Sequence, residues 1–426
     1  QRQLYTEALE LASRGKWQQL RQQLRQQRRQ LQTYPLYPYL IYADLAANLR
    51  HSRHPEVRQY LQDYAGTIKA RHLRNHWLEY LAKGQYWSSF IRFYEPQQAS
   101  VKQQCQFQLA RYYADLKDTQ LDQRREQALT AALELWNVGK SQPKQCDKLF
   151  NRLIADNRIT EALAWQRFNK ALINHQFQLA KYLKRFLKSP YYSNLAKLYY
   201  QADRSPQGIN QFEAFSSDSP EELGIIQHAL VHLARRDSHA ALSYWSHYQQ
   251  THEFTHTARS AIISAIIKGL YKPGAATVAD AYFTDHLQLL NDTLDGSLVE
   301  WRIRLALQEK DWPNVSLWLE RLPEQLQSRT GWRYWTIRSM QSNPLTTEHP
   351  ALQQMTESLA QERDFYGFLA SDMLDKEYRI NHRPVTIDPQ RLAAIAALPA
   401  MARARELRYH DDNLDANREW HQASAS

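Results

Sequence analysis

Five times along the chain, an apolar helix-like run ends in a short polar turn and an aromatic or apolar residue opens the next run. The turns are Leu11-Ala12-Ser13-Arg14-Gly15-Lys16-Trp17, Leu81-Ala82-Lys83-Gly84-Gln85-Tyr86-Trp87, Ile154-Ala155-Asp156-Asn157-Arg158-Ile159, Leu233-Ala234-Arg235-Arg236-Asp237-Ser238-His239 and Leu307-Gln308-Glu309-Lys310-Asp311-Trp312-Pro313. Gly, Asn or Asp at such a turn tolerates the left-handed backbone that ends a helix, and Pro313 suits the first turn of the helix that follows. A single hairpin cannot bury its apolar face, so hairpins of this kind stack on their neighbours. The unequal spacing of the turns predicts an irregular superhelix rather than a uniform array.

The rest of the sequence agrees with an all-α chain. Glycine is scarce at 11 residues in 426, and alternating β-branched runs closed by Asn-Gly or Asp-Gly are absent. The large aromatics, 12 Trp, 25 Tyr and 13 Phe, are the residues that stacked hairpins bury. The longest apolar run, Ala261-Ile262-Ile263-Ser264-Ala265-Ile266-Ile267, is cut by Lys268 and Gly269. It falls well short of the roughly 18 residues that a membrane span needs, so it reads as a buried helix. No signal peptide is visible at Gln1, and a mature periplasmic protein would look the same.

Net charge is +10, from 54 Lys/Arg against 44 Asp/Glu, and residues 1–100 alone carry 15 basic against 7 acidic side chains. Such a surface attracts polyanions, or it is a solvated helix face, as Arg21, Arg25, Arg28 and Arg29 suggest. An RNA-binding helical repeat lacks support, because no one-base-per-repeat period is visible.

Short motifs for chemistry are few. His252-Glu253-Phe254-Thr255-His256 matches the zinc-protease spacing, but no third ligand is marked. His51 and His54 sit among Arg50, Arg53 and Pro55, and the cations oppose a metal there. Gly139-Lys140-Ser141 lacks the first glycine and preceding strand of a phosphate loop. No metal and no cofactor is expected. The two cysteines, Cys105 and Cys146, have no Cys-x-x-Cys partner; from the residues alone they are free core thiols or a disulfide.

Several segments, in order along the chain, resemble one family. They are Tyr34-Pro35-Leu36-Tyr37-Pro38-Tyr39-Leu40, the irregular stretch Trp136-Asn137-Val138-Gly139-Lys140-Ser141 that runs on through Cys146 to Phe150, Trp332-Arg333-Tyr334-Trp335, Phe365-Tyr366, Glu377-Tyr378, Met401-Ala402-Arg403, Arg405-Glu406-Leu407, Leu414-Asp415 and Glu419-Trp420. Together they are similar to the superhelical part of the periplasmic soluble lytic transglycosylases, which cut bacterial peptidoglycan.

The resemblance implies an α-superhelix that curls into a ring, residues 1–385, followed by the start of a small helical linker domain, residues 386–426. It implies a periplasmic location, a Cys105–Cys146 disulfide, peptidoglycan glycan strands as ligand, cell-wall synthesis proteins as further partners and a monomeric state. It also implies cleavage between N-acetylmuramic acid and N-acetylglucosamine with 1,6-anhydro ring closure, performed in the family by a lysozyme-like domain. The Gly-Leu-Met-Gln and Ala-Tyr-Asn-Ala-Gly segments of that domain are absent from these residues. The lone Glu357-Ser358 lies upstream of the linker, so no catalytic residue is assigned and the chain is expected to bind rather than cut. Tyr34, Tyr37 and Tyr39, held extended by prolines, are the candidate glycan contacts; aromatic packing between hairpins is the competing reading. A helical-repeat scaffold for another protein is the alternative function.

Overall fold

A computed structural model describes residues 1–114, 121–271, 276–294, 296–344 and 348–424. Every regular element among the described residues is helical, and no strand occurs among them. This is the helical superhelix fold anticipated from the sequence.

Four of the five recurring turns, and a further one at Ala171–Gln176, share one backbone motif. Lys16 N–H reaches Leu11 O (2.9 Å), Tyr86 N–H Leu81 O (2.9 Å), Arg158 N–H Leu153 O (2.9 Å), Gln176 N–H Ala171 O (2.8 Å) and Asp311 N–H Ala306 O (2.9 Å). Each bond spans five residues and closes over one left-handed residue, which is the Schellman arrangement. The left-handed residues are Gly15, Gln85, Asn157, His175 and Lys310, with φ of 68°, 56°, 52°, 54° and 58°. Gly15 and Asn157 suit the role by type. In the Leu81–Trp87 turn Gln85 rather than Gly84 takes the position, so the five-residue bond and not residue type places the left-handed step. The Leu233–His239 turn departs from the pattern: Asp237 is extended at φ −143° and caps the next helix, accepting from Ala240 N–H at 3.0 Å. Side-chain caps also start many other helices, among them Thr67, Ser100, Thr160, Ser189, Ser219, Thr255 and Asp364, each satisfying an otherwise orphaned first-turn N–H.

The chain forms two compact units, one from Gln1–Lys188 with Val385–Ser426 and one from Ser189–Pro384. In this division the helices after Val385 share a unit with the N-terminal ones. In the first unit, Leu45, Val57, Tyr60, Leu73, Trp77, Leu81 and Phe90 form one core cluster. A second unites Tyr5, Ala8, Leu20, Tyr34, Leu36, Tyr39 and Leu40 with Leu407 and Ala416 from the far end of the chain. In the second unit, the apolar run from Ala261 lies in helix His256–Leu270 and buries Ile262, Ile263, Ile266 and Ile267. Burial on that scale stabilises by about 1.5–3 kcal/mol per side chain.

Cys105 and Cys146 are joined in the first unit, with Cα atoms 5.0 Å apart. The bond ties helix Val101–Tyr113 to the turn before helix Asp147–Ala155. The irregular stretch after Trp136 is held by its neighbour, helix Glu161–Ile173. Arg167 Nε donates to Val138 O at 3.2 Å, Lys170 Nζ donates to Asn137 O at 2.9 Å, and the Arg167 guanidinium stacks 4.5 Å from the Trp136 ring. A Cβ on Gly139 would meet the Lys170 carbonyl oxygen at 2.5 Å. The motif is therefore a loop pressed onto a helix end, and glycine is what lets it approach.

Candidate functional site

Two groups of resemblance-bearing segments, distant in sequence, meet in space, one in each unit. In the first unit, helices Pro399–Tyr409 and Asn413–Ser424 dock on the N-terminal helices. Arg2 makes a two-pronged ion pair with Glu406, Nε to Oε2 at 2.8 Å and Nη2 to Oε1 at 3.0 Å, and its guanidinium lies 3.7 Å from the Tyr409 ring centroid. Tyr34 donates its hydroxyl to Glu406 Oε2 at 2.8 Å and lies 2.9 Å from His410 Nε2. The phenol has one hydrogen, so His410 carries its own on Nε2 and donates to the Tyr34 oxygen. Tyr39 donates to Glu419 Oε1 at 2.8 Å, and Arg403 Nη2 donates to Glu419 Oε2 at 2.8 Å. Lys69 Nζ pairs with Asp415 Oδ2 at 2.5 Å.

The electrostatics follow from burial and pairing. Burial pushes the Tyr34 and Tyr39 phenols above their ordinary value, with the carboxylates of Glu406 and Glu419 adding to the shift, so both remain donors. The Arg2 hydrogen bond holds the Glu406 carboxyl below the usual range, against its burial and with help from Tyr34. Burial works to raise Asp415, but hydrogen bonds from Lys69 and Arg418 outweigh it and the group is lowered.

These positions bear directly on the candidate glycan contacts. Tyr34 is 4% exposed and Tyr39 is 8% exposed, and both hydroxyls are engaged inside the protein. Both rings are packed among neighbouring helices, with little of either face left for a sugar. Tyr37 keeps partial exposure at the start of helix Tyr37–Ala47.

In the second unit, Trp332-Arg333-Tyr334-Trp335 and Phe365-Tyr366 come together at an open groove of about 720 Å³. Helix Thr330–Ser342 supplies Trp332 and Trp335, and helix Phe365–Met373 supplies Tyr366. Helix Ser297–Glu309 adds Glu300, Arg304 and Gln308, spaced four apart and so on one face. Trp332 Nε1 donates to Glu300 Oε1 at 2.7 Å, and Arg329 and Arg304 approach the same carboxylate at 3.5 and 3.8 Å. The side chains of Arg304 and Arg329 stay 57% and 63% exposed. The groove thus joins the half-buried rings of Trp335 and Tyr366 to two accessible guanidiniums with a single carboxylate between them, while Trp332 is 7% exposed and its indole braces that carboxylate from behind. Aromatic rings suit the apolar faces of sugars, and guanidiniums suit carboxylates. Sequence reasoning singled out the aromatic segments here but not Glu300, Arg304 or Arg329; the four-residue spacing of Glu300, Arg304 and Gln308 was the available signal.

The remaining sequence candidates lie elsewhere. His252 follows the end of helix Ser238–Thr251 and His256 begins the next helix. The two histidines therefore do not share one helix face, and the zinc-protease geometry is not formed. Glu357 pairs with Lys376 at 3.2 Å, and that hydrogen bond with one from Gln353 holds its carboxyl below the ordinary value. A general acid needs the opposite shift. His51 stacks on Tyr86 at 4.2 Å, and His54 is lowered by burial and the nearby Arg58 and Arg92.

No family model matches the chain. It is 26% identical over 392 residues to the soluble lytic murein transglycosylase of Salmonella typhimurium strain LT2, covering 92% of this chain and 58% of that protein. The soluble lytic murein transglycosylase of Escherichia coli K12 matches at 26% over 395 residues with the same coverage. The chain thus spans under two thirds of the length of these curated relatives. Among solved structures, an inactive mutant of the lytic transglycosylase Slt from Pseudomonas aeruginosa superposes with a TM-score of 0.77 at 29% identity, covering 100% of this chain and 66% of that one. The 70-kDa soluble lytic transglycosylase in complex with bulgecin A gives a TM-score of 0.78 at 22% identity, covering 99% and 65%. By sequence along most of its length and by fold, this chain is similar to the soluble lytic murein transglycosylases.

Proposed function

We propose that these residues bind peptidoglycan glycan strands as the superhelical portion of a lytic transglycosylase, and hold the strand without cutting it. The complete enzyme would cleave between N-acetylmuramic acid and N-acetylglucosamine with 1,6-anhydro ring closure. In this reading residues 1–385 are the superhelical segment and 386–426 begin the linker domain. The observation that carries it is the homology along 92% of the chain. The groove beside Trp335 and Tyr366 supplies a fitting surface, because peptidoglycan offers both sugar rings and peptide carboxylates. A periplasmic location fits the disulfide, which forms in oxidising compartments.

The test is sedimentation with purified sacculi, followed by mass spectrometry of the soluble fraction. The chain should pellet with sacculi and release no 1,6-anhydromuropeptides, and Trp335→Ala should weaken retention roughly tenfold, about the loss expected of a central aromatic contact. Release of anhydro products would show an active site within these residues. Equal retention of the variant would remove the groove from the binding surface, and no retention of either protein would refute the reading.

One observation favours protein binding as a second reading. No residue of helix Pro389–Ala397 is buried, and Val385, Ile387, Leu392 and Ile395 are between half and nine-tenths exposed. Contiguous exposed apolar side chains mark interaction surfaces. Leu392→Glu with Ile395→Glu should abolish pull-down of a cell-wall protein without altering sedimentation with sacculi; unchanged pull-down would dismiss this reading.

A further inference from the structure

Helix Pro220–Arg236 carries His228 and His232 one turn apart, so both imidazoles lie on one face. That face meets Asp203, near the end of helix Pro190–Arg204 in the same unit. His228 Nε2 is 3.0 Å from Asp203 Oδ1. One ligand atom from each of the three residues lies within 4.8 Å of the others. The two imidazole rings are 4.2 Å apart between centroids, and the Tyr199 ring backs His228 edge-on at 4.9 Å. The His228 and Asp203 side chains are only 10% and 11% exposed.

We propose that Asp203, His228 and His232 bind a divalent transition-metal ion, zinc by ligand chemistry, with water in the fourth position. Two imidazole nitrogens and one carboxylate oxygen form a three-ligand set that zinc accepts. With bonds of 2.0–2.1 Å, two ligand atoms of a tetrahedral zinc stand about 3.3 Å apart. The His228–Asp203 pair is therefore close to ligand spacing already, and His232 closes the set by side-chain rotation from a position one turn along a rigid helix. A His–Asp hydrogen bond needs one imidazole; the second within reach is what makes the pair a ligand set. The ion would brace helix Pro190–Arg204 against helix Pro220–Arg236. The proposal does not depend on what the chain binds outside this site.

The experiment uses the full chain, stripped with chelator and titrated with zinc chloride by calorimetry, with thermal unfolding as a second readout. Wild type should take one tight equivalent and unfold at higher temperature with zinc than without. His232→Gln, which leaves the His228–Asp203 bond in place, should bind at least about tenfold more weakly, as loss of a site-orienting group already costs that much, and should lose the zinc-dependent thermal shift. The His252→Gln, His256→Gln double variant should bind as wild type and so control for adventitious histidine binding. No stoichiometric zinc uptake by the wild type, or equal uptake by His232→Gln, would overturn the proposal.

Discussion

The Glu419 carboxylate is fully buried at 0% exposure and is met by two donors, the Tyr39 hydroxyl and the Arg403 guanidinium, each at 2.8 Å. Tyr39→Phe removes one hydrogen bond to a charged acceptor and leaves the ring in place. Bonds of this type contribute about 1.5–3 kcal/mol, so opening of helix Asn413–Ser424 should become about 10- to 150-fold more frequent. Glu419→Ala goes further, because it leaves Arg403, itself 9% exposed, as a buried charge with its partner removed. Breaking a buried pair from one side costs about 3–5 kcal/mol, or about 150- to 5,000-fold in opening. The assay is native-state hydrogen exchange of the amides in that helix, which reads local opening without assuming that two compact units unfold together. The double variant Tyr39→Phe, Glu419→Ala should be less than additive, since both singles remove the same bond. Exchange within about threefold of wild type in both single variants would refute the reasoning, and this clasp of Tyr39, Glu419 and Arg403 would then contribute nothing to holding the helix.

Three further outcomes are expected. Replacing Cys105 and Cys146 together with Ala should lower the stability of the first unit by about 4 kcal/mol, the chain-entropy value for the 41-residue separation, read as a fall in the urea midpoint. Gln85→Gly and Lys310→Gly should each stabilise by about 0.5–1 kcal/mol, because both residues are left-handed and exposed and glycine removes the Cβ clash at some entropic cost; calorimetric melting temperatures check this. Acid should loosen the clasp in two steps, seen by hydrogen exchange of Asn413–Ser424 corrected for intrinsic rates. Burial lowers His410 from its ordinary 6.5, so its contribution is complete above about pH 6.5 and is lost as pH falls through its folded value. Glu406 and Asp415 are held below their ordinary 4.5 and 3.8, so their contributions are complete above those values and disappear as pH drops through the folded ones. His410→Gln should remove the first step alone.

The helices and their turns were legible in the sequence because each is decided within a few residues. The five-residue bonds from Lys16 to Leu11 or Asp311 to Ala306 need only a local apolar run and a residue that can turn left-handed, and the caps at Ser100 and Thr160, which the structure adds, likewise join residues only three apart. The family resemblance was legible too, since it rests on segments quoted in order. What those segments touch was decided by tertiary structure. Tyr34 and Tyr39 read as glycan contacts because a phenol able to stack on a sugar is, by composition, the same phenol able to donate to a buried carboxylate. Only the docking of residues 372 and 380 positions away distinguishes the two. The groove likewise required Glu300 to meet Trp332 across 32 residues, and the histidine pair, whose His228-Ala229-Leu230-Val231-His232 spacing was visible, became a ligand set only when Asp203 came alongside. The physical reason is the same in each case: a helix bond spans a fixed few residues, whereas a contact between helices depends on how successive hairpins turn against one another, which is set by the summed packing of many side chains and by no short segment alone.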